Sequence, residues 1–188
     1  MTLPSVTQVL GRWQDFSAIR PEILAYAAER GSVAHRVCAS YATAFQRSDW
    51  LAMGLIKGGV GVPEEVRGYV KSFIDWFDLA VAEVLFVEAE VVSAFGYVGH
   101  FDLGVRLKDG RLALIDLKTP VANQKIWALQ LAAYWGACIE TFGVEFEVLF
   151  SLRLNKDGGE AKLKPYDNHP QHLAIFLGGL NMFRFLEG

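Results

Sequence analysis

The sequence predicts an α/β protein, a mixed central sheet flanked by helices behind a helical N-terminal part. Three observations carry that reading. Up to about residue 82 the apolar residues recur three or four apart, the spacing of buried helix faces. From Val84 onward they alternate with polar residues, the period of a strand. Glycine-bearing turns at Lys108-Asp109-Gly110 and Asn155-Lys156-Asp157-Gly158-Gly159 then join such segments into hairpins. The expected organisation is one domain over 1–188, with a helical part over about 1–82 and an α/β core over about 83–188. A chain of 188 residues lies where a single hydrophobic core suffices.

The elements follow in order. Pro21 with Glu22 opens a short helix through Ile23, Leu24, Ala25 and Tyr26, with a stop at Gly31. Ser32 is suited to cap the next helix, whose apolar stripe is Ala34, Cys38, Tyr41, Ala42 and Phe45. Gly54, Gly58, Gly59 and Gly61 predict a loop. Pro63-Glu64-Glu65 starts a third helix that buries Val66, Tyr69, Val70, Phe73, Phe77 and Val81. A strand over Val84–Val92 turns Leu85, Val87, Ala89 and Val91 one way and Glu88 and Glu90 the other. Val98–Leu107 and Leu112–Leu117 form a hairpin. Asn123 is suited to cap a long helix through Leu129, Ala133 and Ala137 that ends before Gly143. Phe146–Leu154 and Ala161–Tyr166 make a second hairpin, and a last helix runs from about His169 to Leu186.

Composition narrows the function classes. Hydrophobic residues make up 52% and charged residues 21%, a globular balance that argues against long disordered tails. The formal net charge of -3 does not advertise a nucleic-acid binder. It is a weak veto, because bound cations offset carboxylates and a basic stripe can lie on an acidic protein. Cys38 and Cys138 are too few for a four-cysteine metal or iron–sulfur site and are expected as buried thiols of a reducing compartment. The start, MTLPSVTQVL, lacks a basic segment followed by an apolar run, so no secretory signal is expected. No apolar run nears the ~18–20 residues of a membrane span. The expectation is a cytoplasmic protein without membrane contact.

The chemistry collects in Gly99-His100-Phe101-Asp102, Ile115-Asp116-Leu117-Lys118 and Gln130-Leu131-Ala132-Ala133-Tyr134. The register of the first hairpin decides whether its carboxylates can cooperate. A two-residue turn at Asp109-Gly110 pairs Leu103 with Asp116 and sends Asp102 to the other face. A three-residue loop with Gly110 in the left-handed bulge position pairs Asp102 with Asp116. It also sets Phe101, Leu103 and Val105 opposite Leu117, Ile115 and Ala113, making one face wholly apolar. A one-residue slip would bury both aspartates among those groups, so the three-residue loop is predicted. Asp102, Asp116 and Lys118 then share a face.

Directly opposed aspartates repel, and a strand pair chosen for stability alone would avoid them. Bound cations remove that penalty. Carboxylate oxygens are hard ligands suited to Mg²⁺ or Mn²⁺, and such an ion can acidify water and stabilise charge on a phosphoryl group. Lys118, two residues past Asp116, is placed to orient or help deprotonate an attacking water. Glu90 or Glu88 adds a carboxylate if its strand lies beside the hairpin. Gln130 and Tyr134, four apart, share a helix face and can bond a phosphate or base edge, or stack. Taken singly, His35 reads as a hydrogen-bonded structural histidine, and Trp127 and Trp135 as packing residues. The combination, in order, is what carries weight.

That combination resembles the PD-(D/E)XK nucleases, in particular their RecB-like, CRISPR-associated and phage- or mitochondrial-type exonucleases, from Ser5-Val6-Thr7 through the final helix. Gly31-Ser32-Val33-Ala34-His35 looks like the family's upstream helix motif, which implies His35 as a metal ligand or outer-shell partner. Glu90, before Val91-Val92-Ser93, looks like the first acidic position, with Glu88 as the fallback. Gly99-His100-Phe101-Asp102 is similar to the Gly-X-X-Asp motif and implies Asp102 as a metal ligand. Asp116-Leu117-Lys118 looks like the third motif, with Asp116 on the metal and Lys118 serving the nucleophile. Gln130 through Tyr134 resembles the Gln-X-X-X-Tyr motif of the RecB-like branch. Two departures stand out: no proline directly precedes Asp102, and Asp116 replaces the glutamate of the third motif.

The resemblance implies a restriction-endonuclease-like fold and Mg²⁺- or Mn²⁺-dependent hydrolysis of DNA, single- or double-stranded, by an exonuclease of recombination, repair or phage. It implies a metal held by His35, Glu90, Asp102 and Asp116, with Lys118, Gln130 and Tyr134 completing the catalytic set. The cysteines that hold an iron–sulfur cluster in several relatives are missing, so none is expected. Without a helicase segment, unwinding would need a partner, such as a helicase or recombination protein, or a pre-existing end. An endonuclease and a non-catalytic DNA-binding accessory protein are the alternatives.

Overall fold

The computed structural model describes residues 3–120 and 124–187. The helical first part comprises α1 (Val6–Gly11), α2 (Pro21–Gln46), α3 (Trp50–Lys57) and a 3-10 turn (Glu64–Val66) leading into α4 (Arg67–Ala80). Then come β1 (Val81–Ser93), β2 (Tyr97–Leu107), β3 (Leu112–Lys118), α5 (Ile126–Phe142), β4 (Val148–Arg153), β5 (Lys162–Tyr166) and α6 (His169–Glu187). The strands form one sheet in the order β1-β2-β3-β4-β5, and every neighbouring pair is antiparallel except β3 with β4. A parallel pair cannot be closed by a tight turn, so the chain must cross over the sheet, and it does so through α5. Among the described residues no helix is long and apolar enough to cross a membrane.

Helices cover both faces of the sheet. On one side Ala34, Cys38 and Tyr41 of α2 and Phe73 and Phe77 of α4 pack against Leu103, Ile115 and Leu152. On the other, Val6 and Val9 of α1, Leu131 and Ala137 of α5 and Phe176 of α6 pack against Tyr97, Leu114 and Leu149. β3 is therefore buried on both faces, and its sequence is apolar almost throughout, as a central strand in such a sandwich requires. The mixed sheet with flanking helices matches the expected α/β class.

The β2–β3 register follows the three-residue loop. Leu103 pairs with Ile115 and Val105 with Ala113. Gly110 has φ 94°, and its N–H donates to the Leu107 carbonyl at 2.9 Å, closing the turn.

Several boundaries differ from expectation. No stop occurs at Gly31; one helix runs from Pro21 to Gln46. Gly31 is buried, and a Cβ there would stand 3.2 Å from Thr119 Oγ1, so its missing side chain lets α2 pass close to the end of β3. Ser32 caps nothing, and its hydroxyl donates back to the Ala28 carbonyl. Gly54 lies inside α3, whose N-terminus is capped by Asp49 accepting from Ala52 N–H, so the loop begins later than the glycines suggest. Val81 is buried as the first residue of β1, not on the last turn of α4. The strand expected over Phe146–Leu154 is shorter, Val148–Arg153. The Asn123 cap lies outside the described residues. At the other end Gly143, with φ 64°, takes the left-handed conformation and closes α5.

Gly68 ties α4 to the β4–β5 loop, because a Cβ at that position would fall on the Lys156 carbonyl. Gly68→Ala is expected to cost about 1–3 kcal/mol, read as a lower denaturant midpoint. An unchanged midpoint would mean that the loop yields freely.

Candidate functional site

β1 and β2 lose their side-chain alternation at the same level. Val87 packs with Leu103 and Val105 on the α2 side, whereas Ala89 and Phe101 pack on the α5 side. Residues two apart in a regular strand share a face, so both strands reverse between these positions. In β1 the cause is Glu88, whose φ of 47° is left-handed; for a non-glycine residue this costs on the order of 1 kcal/mol or more. Asp102 stands opposite, between the pairs Val87–Leu103 and Ala89–Phe101. The wholly apolar face expected for Phe101, Leu103 and Val105 is thus split, with Phe101 crossing to the α5 side. Asp102 sits where the strands part, and its Oδ2 accepts the Leu117 N–H at 2.5 Å.

Around Asp102 stand two groups from other elements. His35, on α2, places Nδ1 3.1 Å from Asp102 Oδ1. The continuous helix and the close passage at Gly31 set that distance. Glu88, His35 and Asp102 each offer a ligand atom, and all three atoms lie within 4.8 Å of one another. Glu90, the first choice from sequence, pairs across the ladder with His100 and is not among the clustered ligand atoms; the carboxylate brought to Asp102 is Glu88, itself exposed. His100 Nε2 also lies 3.8 Å from Glu88 Oε2. Strand periodicity alone puts Glu88 and Glu90 on one face and cannot choose between them. The left-handed backbone at Glu88 makes the choice, and no sequence signal announces it.

The second half of the site is a chain of contacts from β3 to α5. The Lys118 ammonium touches Asp116 Oδ2 and donates to Gln130 Oε1 at 2.9 Å; Gln130 Nε2 donates to the Tyr134 hydroxyl at 2.9 Å. The i, i+4 spacing of Gln130 and Tyr134 therefore puts them in contact, as expected. Trp127 lies with its ring 5.3 Å from Lys118 Nζ, a cation–π contact on one side of the ammonium. Asp116 is 3% exposed, and although Lys118 touches Oδ2, that oxygen receives no well-directed hydrogen bond among the described residues. Tyr134 is held by its neighbour strand: a Cβ at Gly99 would stand 2.7 Å from the Tyr134 ring.

The two aspartates are shifted in opposite directions. Burial opposes ionisation of Asp102, but His35, Lys118 and the Leu117 N–H outweigh it, and the carboxyl lies below its ordinary range. For Asp116 burial dominates, with Asp102 adding repulsion against the relief from Lys118, and its carboxyl lies above that range. Burial lowers His35 but the charge and hydrogen bond of Asp102 prevail, raising it. Burial, with Asp102, raises Glu88. Burial pushes the Tyr134 phenol far up, so it keeps its proton.

No family model matches the sequence, and no curated protein matches it. Among solved structures, the crystal structure of SSO0001 is similar over 82% of this chain and 75% of that one, at 14% identity and a TM-score of 0.38. A likeness that low carries no argument.

Opposite shifts predict opposite stabilities. A lowered carboxyl stabilises the fold above the ordinary carboxylate range and loses that contribution as pH falls through its folded value. Asp102→Asn is therefore expected to destabilise by about 1.5–3 kcal/mol at neutral pH and to converge with wild type in acid. A raised carboxyl penalises the fold once ionised. Asp116→Asn should melt above wild type in EDTA, with an advantage that grows as pH rises through the raised value. Melting curves across pH would expose the reverse order. Gly99→Ala should displace Tyr134 and cost about 1–3 kcal/mol, whereas an unshifted melt would show that the ring has room to move.

Proposed function

We propose that the protein is a metal-dependent nuclease that hydrolyses DNA phosphodiester bonds, acting as an exonuclease. The observation that supports this best is the pair Asp102 and Asp116 on adjacent strands, backed by Lys118, with Gln130 and Tyr134 bonded behind it. A pair of close carboxylates with opposite pKa shifts is costly for a fold and useful around a cation.

The donor set suits a divalent ion. His35, Glu88 and Asp102 supply one imidazole nitrogen and two carboxylate oxygens, and Asp116 contributes a buried oxygen with no directed hydrogen bond of its own. Hard oxygens with one imidazole fit Mn²⁺ or Mg²⁺. When bound, such an ion supplies Lewis acidity toward a backbone phosphate and acidifies a neighbouring water.

The protein groups do the rest. Leu117 N–H and His35 pin the two Asp102 oxygens, fixing the direction of the lone pairs left over. Lys118, held by Asp116 and Gln130 and covered by Trp127, keeps its charge aimed at the phosphate and orients the attacking water. The protonated Tyr134 hydroxyl, already accepting from Gln130, has its own hydrogen free to donate to a phosphate oxygen.

The test is cleavage of end-labelled linear single- and double-stranded DNA with Mg²⁺, Mn²⁺ or EDTA, beside circular single-stranded DNA. Wild type should degrade linear DNA with either cation, spare the circle and fall silent in EDTA. Asp116→Ala and Lys118→Ala should each lose at least about a hundredfold in rate while remaining folded. Cutting of the circle would mean an endonuclease. Folded protein that cleaves nothing under either cation would overturn the proposal.

A further inference from the structure

Three cations, Lys118 among them, stand in line across the sheet. Lys118 of β3 is paired directly with Arg153 of β4, and Arg153 with Lys162 of β5. Paired residues in a ladder point to one face, here the α5 face on which Lys118 meets Gln130 and Trp127. One step back, the same ladders pair Asp116 with Ser151 and Ser151 with Lys164. Asp116 answers the charge of Lys118. Lys162 is exposed and makes no ion pair among the described residues, and Lys164 lies over the Tyr166 ring.

Arg153 and Lys162 face each other across the β4–β5 ladder. A lysine on an edge strand resists pairing with another chain, but that role needs no arginine on β4. A groove of about 240 Å³ opens at the strand ends toward the α4 side, lined by Tyr69, Thr119, Arg153, Lys156 and Lys162, with Asp157 and Glu160 on its loop side. Strands lie about 4.8 Å apart, so the row spans about 10 Å from Lys118 to Lys162. That exceeds one phosphate and suits successive phosphates of a chain.

We propose that Arg153 and Lys162 bind the backbone phosphates next to the reacting one, so that the nucleic-acid strand leaves the site over the ends of β4 and β5. The inference rests on the nuclease reading of the neighbouring Asp102, Asp116 and Lys118. An acidic protein segment is the other ligand such a row could take. Its continuity with Lys118, the residue facing the reacting phosphate, favours the phosphate chain.

The experiment is fluorescence anisotropy of dye-labelled single-stranded and duplex DNA with the full chain in EDTA, across a potassium chloride series. Cleavage in Mn²⁺ is followed in parallel. Lys162→Ala should weaken binding alike for every sequence and lower the slope of log affinity against log salt by about one. Lys162→Arg should keep both. An unchanged slope in Lys162→Ala, with wild-type cleavage intact, overturns the strand path and leaves the nuclease reading standing. A reduced slope in a protein that cleaves nothing supports the path and overturns hydrolysis. No DNA binding by wild type overturns the path.

Discussion

Gly110 turns the β2–β3 hairpin with φ 94°, and that one left-handed residue decides which side chains of the two strands face each other. The loop it closes sets Leu103 against Ile115, where the ladder ends, and leaves Asp102 and Asp116 as the next residues on the two strands. A slip of one residue would turn every side chain to the opposite face and drive both carboxylates among apolar groups. The site therefore inherits its geometry from a turn six residues away from the nearer aspartate in sequence. The apolar pairing that fixes this register is the same pairing that makes the core.

The two carboxylates, on adjacent strands, are treated unequally. Asp102 takes a backbone N–H and an imidazole, so its charge is favoured even under burial. Asp116 has the Lys118 ammonium and, more weakly, His35 against its burial and the charge of Asp102, and its ionised form is disfavoured. Lys118 is in turn held from α5 through Gln130, so the state of Asp116 is tied to the crossover helix. Gly99 lets Tyr134 lie against β2, which supports Gln130 from behind. A strained residue, Glu88, stands at the other side of Asp102, and its backbone is the least favourable local feature at the site.

Much of the arrangement was legible in the sequence because it is short-range. The hairpin register followed from turn length and apolar pairing. The contact of Gln130 with Tyr134 followed from helical spacing, and the order of strands and helices from periodicity. Helix boundaries were less legible. Gly31 has the look of a helix stop, yet tertiary packing makes it the point where α2 passes Thr119. A glycine tolerated for closeness and a glycine tolerated for a turn are the same letter.

The sequence by itself determined the α/β class, the β2–β3 register from Leu103 to Arg106 and the face shared by Gln130 and Tyr134, because each depends on residues within one or two elements. Only the tertiary structure decided that Glu88 and not Glu90 approaches Asp102, since that rests on a left-handed φ in β1. Only it brought His35 from α2 across 67 positions of sequence to within 3.1 Å of the carboxylate. And only it aligned Lys118, Arg153 and Lys162, because pairing between strands separated by a crossover is set by packing of the whole sheet. Local patterns carry no information on distances between elements; the shared core supplies those.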